Sequence, residues 1–310
     1  MGVAGRWLMF VALTVLLGAV GASVVLRRAG AVVGRLGRVA ACGLAAALVL
    51  LPAAAARLGA QLGELADPGM TPAEYRGLAA AAIGHTQWGH MWVAQLGLTV
   101  VAVVAFAVAW RNADTAGGTG VGARGVAAAW VVAGVAACAL AVTPALAGHA
   151  IGVDDHRALV VGADVVHVIA AGTWIGTLAV LAAAGLVWPV SGIDDAAAGM
   201  RIVQAFSPLA LTSAALVVAS GVVGAWVHLG ALAALWQTDY GHVLLVKVAL
   251  VAMVLGAGAF NWRRATPRLA QGHGLARAGL VRAIVIELAL GALVLAATAV
   301  LVASPLPGAE

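Results

Sequence analysis

Residues 86–98 read TQWGHMWVAQLGL, and residues 238–250 read TDYGHVLLVKVAL. The two segments align without a gap at an offset of 152 residues, close to half of the chain, and they share a threonine, an aromatic residue, a glycine and a histidine in the same order. The same offset lays residues 1–152 over residues 153–310. We therefore expect a duplicated fold; a chance match within alanine- and valine-rich sequence is the alternative.

The composition is that of a membrane protein. Of the 310 residues, 64% are hydrophobic and only 9% are charged, and the mean hydropathy is +1.06, which leaves too little polar surface for a soluble domain. A helix that spans the hydrocarbon core needs roughly 20 apolar residues, and backbone groups in lipid must bond within the helix. We therefore expect an all-α polytopic membrane protein with eight transmembrane helices. They lie at about 7–26, 38–58, 87–110, 124–147, 158–187, 202–228, 242–262 and 281–303.

Each predicted repeat contains four of these spans. Because four is an even number, both repeats have the same orientation, and we expect two parallel four-helix repeats related by an axis along the membrane normal. The first repeat includes an outer loop at 59–86. Within that loop the Thr71-Pro72-Ala73-Glu74 segment has the spacing of a capping box, which predicts a short helix from residue 72 to about residue 83.

The distribution of arginine predicts the orientation in the membrane. Twelve arginines flank the loops on one side: Arg27, Arg28, Arg35, Arg38, Arg111, Arg124, Arg201, Arg263, Arg264, Arg268, Arg277 and Arg282. Four flank the other side: Arg6, Arg57, Arg76 and Arg157. The positive-inside rule puts the twelve in the cytoplasm and both termini outside. The net charge of +5 then reflects topology within membrane lipid, and it indicates no nucleic-acid-binding patch.

Seven of the eight histidines fall on the outer side of this topology. They are His85, His90, His149, His156, His167, His228 and His242, whereas His273 is cytoplasmic. Imidazole binds copper, zinc, iron and nickel, so the asymmetry predicts metal handling at the outer face. Each histidine taken alone is better explained as a solvated residue at the membrane interface, and it is the seven together that favour a metal site.

His167 stands out because it lies inside a predicted span, where ionisable groups are costly and mark a partner or a pathway. Asp164 and Trp174 share its helical stripe. Asp164 is either a metal ligand or the ion-pair partner of Lys247, which is expected at a similar depth; the pair could also orient His167. Glu287, near the inner end of the last span, is interpreted as a contact between helices in preference to a proton or ion step.

Several segments resemble the copper resistance protein D family. They are GHA at 148–150, VVHVIAAGTWIGTLAVL at 165–181, the run from 206 to 250, and NWRRATPRL at 261–269. The resemblance implies an eight-helix inner-membrane protein of bacterial copper homeostasis that moves copper across the membrane together with a periplasmic copper-carrier protein. The oxidation state of the copper stays open, since imidazole with carboxylate suits Cu(II) or a mixed site.

The resemblance also implies a set of site residues. His149 and His167 match motif histidines of the family, and we expect them to form the core of a copper site. His90 and His242 stand where the family often has arginine, so they are either additional ligands or incidental. The remaining candidates are the ligands His228, His85 and Asp164 and the supporting residues Trp174, Lys247, Tyr240 and Glu287.

Two other functions are compatible with the same residues. A b-type membrane cytochrome would use histidines from two helices as axial ligands of haem b and would act as an oxidoreductase, whereas the copper interpretation predicts no enzyme activity. Haem ligands usually lie well inside the spans, and only His167 does so here. A scaffold that docks a periplasmic copper chaperone without transporting the metal is the third possibility.

Overall fold

A computed structural model of the chain describes residues 3–30, 34–115, 120–147, 157–186, 193–270, 274–304 and 307. The regular elements in these ranges are all helical. The α-helices are α1 (Val3–Arg28), α2 (Leu36–Leu65), α3 (Pro72–His85), α4 (Gln87–Arg111), α5 (Val121–Ala147), α6 (Arg157–Ala171), α7 (Thr177–Ala183), α8 (Ile193–Leu229), α9 (Ala234–Gln237), α10 (Asp239–Ala270) and α11 (Gly274–Leu301). A 3-10 turn lies at Ala113–Thr115, and a π-helical segment at Gly172–Gly176 joins α6 to α7.

The all-α class and the eight predicted spans are confirmed. Within the described ranges, eight helices are long and apolar enough to cross a membrane: Val3–Arg28, Leu36–Leu65, Gln87–Arg111, Val121–Leu146, Ala158–Ala183, Ala197–Leu229, Asp239–Asn261 and Val281–Leu301. Three helices extend beyond their apolar spans: α8 begins at Ile193, α10 continues to Ala270 and α11 begins at Gly274. Helical hydrogen bonding does not stop where the apolar run stops, so sequence hydropathy underestimates these lengths.

The short helix predicted in the first long loop is α3, and its first turn is capped as expected. Thr71 Oγ1 accepts a hydrogen bond from the Glu74 backbone N at 3.3 Å, and Glu74 Oε2 accepts one from the Thr71 backbone N at 2.7 Å. The Thr71 backbone N and hydroxyl both donate to the Glu74 carboxylate, and these bonds lower the pKa of Glu74 below its usual value because they favour the ionised form. The cap fixes where the chain enters α3, which ends at His85.

The spans pack as two groups of helices. In the first bundle, defined as α1, α2, α4 and α5, α2 packs against α1 and α4, and α5 packs against α4 and α1. In the second bundle, defined as α6 with the π segment and α7, α8, α10 and α11, α8 packs against α6 and α10, and α11 packs against α10 and α7. The order of contacts is the same in both. Whether the chain is a parallel duplication as a whole stays a prediction.

The two bundles meet where α1 crosses the π segment. Gly18 and Gly176 lie so close that a Cβ atom on either would overlap the backbone of the other helix. Thr177, the residue after Gly176, donates a hydrogen bond from Oγ1 to the Gly18 carbonyl at 3.4 Å. Small residues allow this approach, as is usual between helices in lipid. The contact packs the end of the π segment against α1, the most buried of the spans in the described residues.

Candidate metal-handling site

His167 on α6 contacts two groups of α8, the Ser220 hydroxyl and the Val217 backbone. Its Nδ1 lies 3.1 Å from Ser220 Oγ on α8, and the Ser220 hydroxyl donates its single hydrogen to the Leu216 carbonyl at 2.6 Å. Since the hydroxyl hydrogen is already used, Ser220 Oγ accepts and His167 Nδ1–H donates. In the neutral imidazole, Nε2 then carries the free lone pair that a metal ion requires.

Charged and aromatic side chains from two other helices lie within electrostatic range of Asp164, one turn before this histidine. Asp164 on α6 interacts electrostatically with His228 on α8 and with Lys247 on α10. Lys247 also interacts with His167, and Tyr240 with Asp164. We call these five residues the polar cluster: Asp164, His167, His228, Tyr240 and Lys247.

The expected pairing of Asp164 with Lys247 is indirect. The two side chains lie within electrostatic range, but within the described part of the chain they make no direct ion pair. The expected approach of the two residues thus stops short of a direct contact between the carboxylate and the ammonium. The Asp164 carboxylate is therefore not held in a direct ion pair by Lys247.

His228 has the same arrangement as His167. Its Nδ1 lies 2.9 Å from the Gly224 carbonyl one turn earlier in α8, and because a carbonyl only accepts, Nδ1–H is the donor. The Nε2 atom of the neutral ring is therefore unprotonated. Two histidines of the polar cluster thus have a free Nε2, next to the Asp164 carboxylate that interacts with His228.

The duplicated sequence block forms the same local structure twice. Thr86 Oγ1 accepts from the Gly89 backbone N at 2.9 Å, and Thr238 Oγ1 accepts from the Gly241 backbone N at 3.0 Å. A Cβ atom on either glycine would overlap carbonyl groups at the end of the preceding helix, which explains why this position is glycine in both blocks. The shared threonine and glycine are thus helix-capping residues, a role that the sequence comparison did not recognise.

The two block histidines are placed by these caps. His90 Nε2 lies 3.0 Å from the Gly84 carbonyl, and His242 Nε2 lies 3.1 Å from the Trp236 carbonyl, so in both rings Nε2–H donates and Nδ1 is free. Both side chains are exposed, and so is His85 at the end of α3. These three histidines are accessible, but they are not enclosed in a polar cluster as His167 is.

At the position that corresponds to Lys247, the first bundle has the neutral residue Gln95, which bonds to an arginine. Gln95 Oε1 accepts a hydrogen bond from Arg57 Nη1 at 2.8 Å, and the Arg57 guanidinium lies 5.4 Å from the centre of the Trp88 ring. Gln95 is 3% exposed, so the arginine is compensated by a buried amide. Sequence analysis used Arg57 only as one of four outer charges and missed this network. The histidines of the polar cluster therefore belong to the second bundle.

The structure brings some of the predicted ligands together and leaves others apart. His149, His156 and His273 lie outside the described residues. Among the described His, Cys, Asp and Glu side chains, no group of three or more is positioned to hold one metal ion. The expected ligand set is therefore not preassembled among these residues, and the polar cluster supplies at most a partial site around His167, His228 and Asp164.

Two cavities in the second bundle extend from this region. The smaller has a volume of about 50 Å³ and is lined by His167, Trp174 and Thr14 among others. The larger has a volume of about 720 Å³ and contains Trp174, Asn261 and Glu287 in its wall. Glu287 is 7% exposed, and its Oε1 accepts a hydrogen bond from Asn261 Nδ2 on α10 at 2.5 Å. A neighbouring helix thus supplies the donor for this carboxyl group.

Comparison with known proteins agrees with the resemblance found in the sequence. Residues 200–301 match the family model for copper resistance protein D. The chain is also 26% identical over 272 residues to the copper transport protein CutJ of Bacillus subtilis (strain 168), an alignment that covers 87% of this chain and 45% of that protein. The chain therefore spans less than half the length of this relative. No solved structure matches the chain.

The matched region contains much of the candidate site. It includes α10 and α11 and most of α8, and with them His228, Tyr240, Lys247 and Glu287. The chain is a multi-pass membrane protein that resembles the copper resistance protein D family, and copper is the metal that this relationship indicates. The helix that carries His167 precedes the matched residues.

Proposed function

We propose that this protein binds copper at the face that carries its histidines and transports the ion across the bacterial inner membrane, with both termini on the periplasmic side. The observation that carries the proposal is the state of His167. It lies within a membrane span, its Nδ1 bonds to Ser220, which leaves Nε2 of the neutral ring unprotonated, and the residue lines a cavity. An ionisable residue at such a depth marks a substrate or ion pathway.

The polar cluster has suitable donors for a copper ion in transit. Neutral imidazole nitrogens bind copper well, and a carboxylate adds charge that favours a cation. His167 and His228 each present Nε2, and Asp164 interacts with His228. Lys247 opposes the binding of a cation, but its charge is balanced in part by Asp164. A site of this kind binds copper weakly enough for the ion to be released.

We propose His149 as the partner of His167 in the core of the site, on the strength of the family motif that both match. His228 or Asp164 is the better third ligand. His90 and His242 are exposed, and their Nε2 atoms bond to carbonyl groups of the preceding chain. Together with His85 they suit a role in capturing copper from a periplasmic copper-carrier protein, before the ion reaches the span.

The geometry beside His167 favours copper transport over haem chemistry. Pockets for compact organic ligands typically hold roughly 300–1,000 Å³. The cavity beside His167 holds about 50 Å³, and the opposite side of its ring is held by Ser220. A single ion fits this space and a porphyrin does not. The proposed role is accordingly that of a transporter and not of an oxidoreductase.

The test combines binding and transport. Purified protein is analysed for bound copper with and without reductant, its absorption spectrum is recorded, and copper uptake is measured in proteoliposomes. The expected result is copper binding and uptake by the wild type, with loss of both in His167→Ala. His273→Ala is the control, because the arginine distribution places His273 on the opposite side. A Soret band in the purified protein, or uptake that is unchanged in His167→Ala, would contradict the proposal.

A further inference from the structure

The two cavities of the second bundle follow one another along the same helices. We call them the His167 chamber, of about 50 Å³, and the Glu287 chamber, of about 720 Å³. Val217 on α8 and Val251 on α10 line the first. One turn further along the same two helices, Ala214 and Leu255 line the second. The chambers are therefore consecutive sections of one space between the helices.

Trp174 separates the two chambers. It is in the wall of both, and it packs with Ala214 and Val254 in a small apolar cluster. The indole is 7% exposed, so it fills the space between them. Trp174 follows His167 by seven residues, which corresponds to about 10 Å along a helix at 1.5 Å per residue. An ion that left His167 for the Glu287 chamber would have to pass this side chain.

The backbone around Trp174 is of a kind that allows the indole side chain to change position. Trp174 is the middle residue of the π segment Gly172–Gly176, and such segments occur frequently at functional sites. A residue advances by about 100° around an α-helix of 3.6 residues per turn, so loss or migration of the π segment would rotate the indole out of the cluster. Gly172 and Gly176, at the two ends of the π segment, contact Leu17 and Gly18 of α1. These contacts keep the fifth span in place against α1 while the helical form of the segment changes.

The Glu287 chamber has a carboxyl group with an open oxygen. Asn261 Nδ2 occupies Oε1, and within the described part of the chain Oε2 receives no hydrogen bond. Glu287 is buried between membrane helices, where an ionisable group is costly and usually faces a partner or a pathway. Arg263 lines the same chamber, but its side chain is exposed, so solvent screens its charge. Glu287 therefore offers a cation in this chamber a buried oxygen ligand.

From these observations we infer that Trp174 is the gate of the copper pathway and that Glu287 is a second cation-binding residue, reached after the gate. The inference rests on the proposed transport function. It differs from the simpler role of Glu287 as a contact between α10 and α11. In that role only the hydrogen bond to Asn261 matters, whereas a cation-binding residue needs the negative charge.

Glu287→Gln separates these two roles, because glutamine keeps an acceptor for Asn261 and removes the charge. Copper uptake into proteoliposomes is expected to fall about tenfold or more, while copper binding at the His167 side and the thermal unfolding midpoint are retained. Asn261→Ala is the matched variant: it removes the hydrogen bond and keeps the carboxylate, so it lowers the unfolding midpoint and spares more of the uptake. Normal uptake in Glu287→Gln would overturn the assignment of Glu287.

Trp174→Ala tests the gate. It opens the space between the chambers, and we expect uptake to become faster and less selective for copper over zinc, whereas Trp174→Phe is expected to keep the gate. Trp130→Phe, at a buried tryptophan of the first bundle that packs on Phe106, is the control. Unchanged rate and selectivity in Trp174→Ala would overturn the gate. If the wild type itself transported no copper, the proposed function would fail first, so the two failures are distinguishable.

Discussion

Ser220 on α8 fixes the tautomer of His167 on α6, because its hydroxyl donates to the Leu216 carbonyl and can therefore only accept from Nδ1, 3.1 Å away. The consequence is a free Nε2 in a membrane span. A partner of a metal-binding histidine that sets its tautomer and ring orientation commonly changes metal affinity by ~10–100-fold when it is removed.

Ser220→Ala is expected to lower copper affinity within that range while the protein stays folded. The affinity is measured by equilibrium copper binding to the purified protein, and folding by the thermal unfolding midpoint. Ser213→Ala, which removes another buried hydroxyl of α8, is the matched control and should bind copper like the wild type. An affinity in Ser220→Ala equal to that of Ser213→Ala would show that the hydrogen bond does not position a ligand.

The duplicated caps predict paired effects in the two halves. Gly89→Ala and Gly241→Ala each force a Cβ atom against carbonyl groups of the preceding helix, and overpacking of this kind costs about 1–3 kcal/mol. Both variants should lower the thermal unfolding midpoint by similar amounts. Gly97→Ala, further along α4 with no atom near the added carbon, should not. Strong destabilisation by only one of the first two would argue against equivalent caps.

Sequence reasoning was most successful where one local property decides the outcome. The eight spans follow from apolar length alone, and the capping box at Thr71 and Glu74 from residue identity and spacing. The π segment was not predicted, because the apolar length that predicts a span does not distinguish π-helical from α-helical turns. The fifth span therefore appeared in the sequence as one uniform helix.

The polar cluster illustrates the same limit. Asp164, His167 and Lys247 are conspicuous as ionisable residues in apolar helices, so they could be selected from sequence. Ser220 could not, because a serine in an alanine-rich helix usually bonds to its own backbone, as this one also does. Its position next to His167 depends on how α8 is rotated against α6, and no spacing in the sequence encodes that rotation.

From the Arg57–Gln95 hydrogen bond we expect a variant that lowers the stability of the protein without changing its copper binding. Gln95→Ala leaves the partly buried guanidinium without its acceptor, which costs about 1–3 kcal/mol. The unfolding midpoint should fall, and copper stoichiometry should not change. Gln87→Ala, at an exposed glutamine on the same helix, is the control. Loss of copper binding in folded Gln95→Ala would place part of the site in the first bundle.

The last prediction concerns His149 and His167 as the core of the copper site. The double substitution to alanine removes both motif histidines, so we expect the loss of one tightly bound copper ion per chain. Since His167 does not belong to the apolar cores of the described helices, the protein should remain folded and inserted in the membrane. Metal analysis of purified protein gives the stoichiometry, and the thermal unfolding midpoint checks the fold. His90→Ala combined with His242→Ala serves as the comparison: it removes two exposed imidazoles whose Nε2 atoms already bond to backbone carbonyls, and it should slow copper capture without changing the stoichiometry. If the stoichiometry were instead lost in this second pair and kept in the first, the site would lie at the helix caps and not within the span.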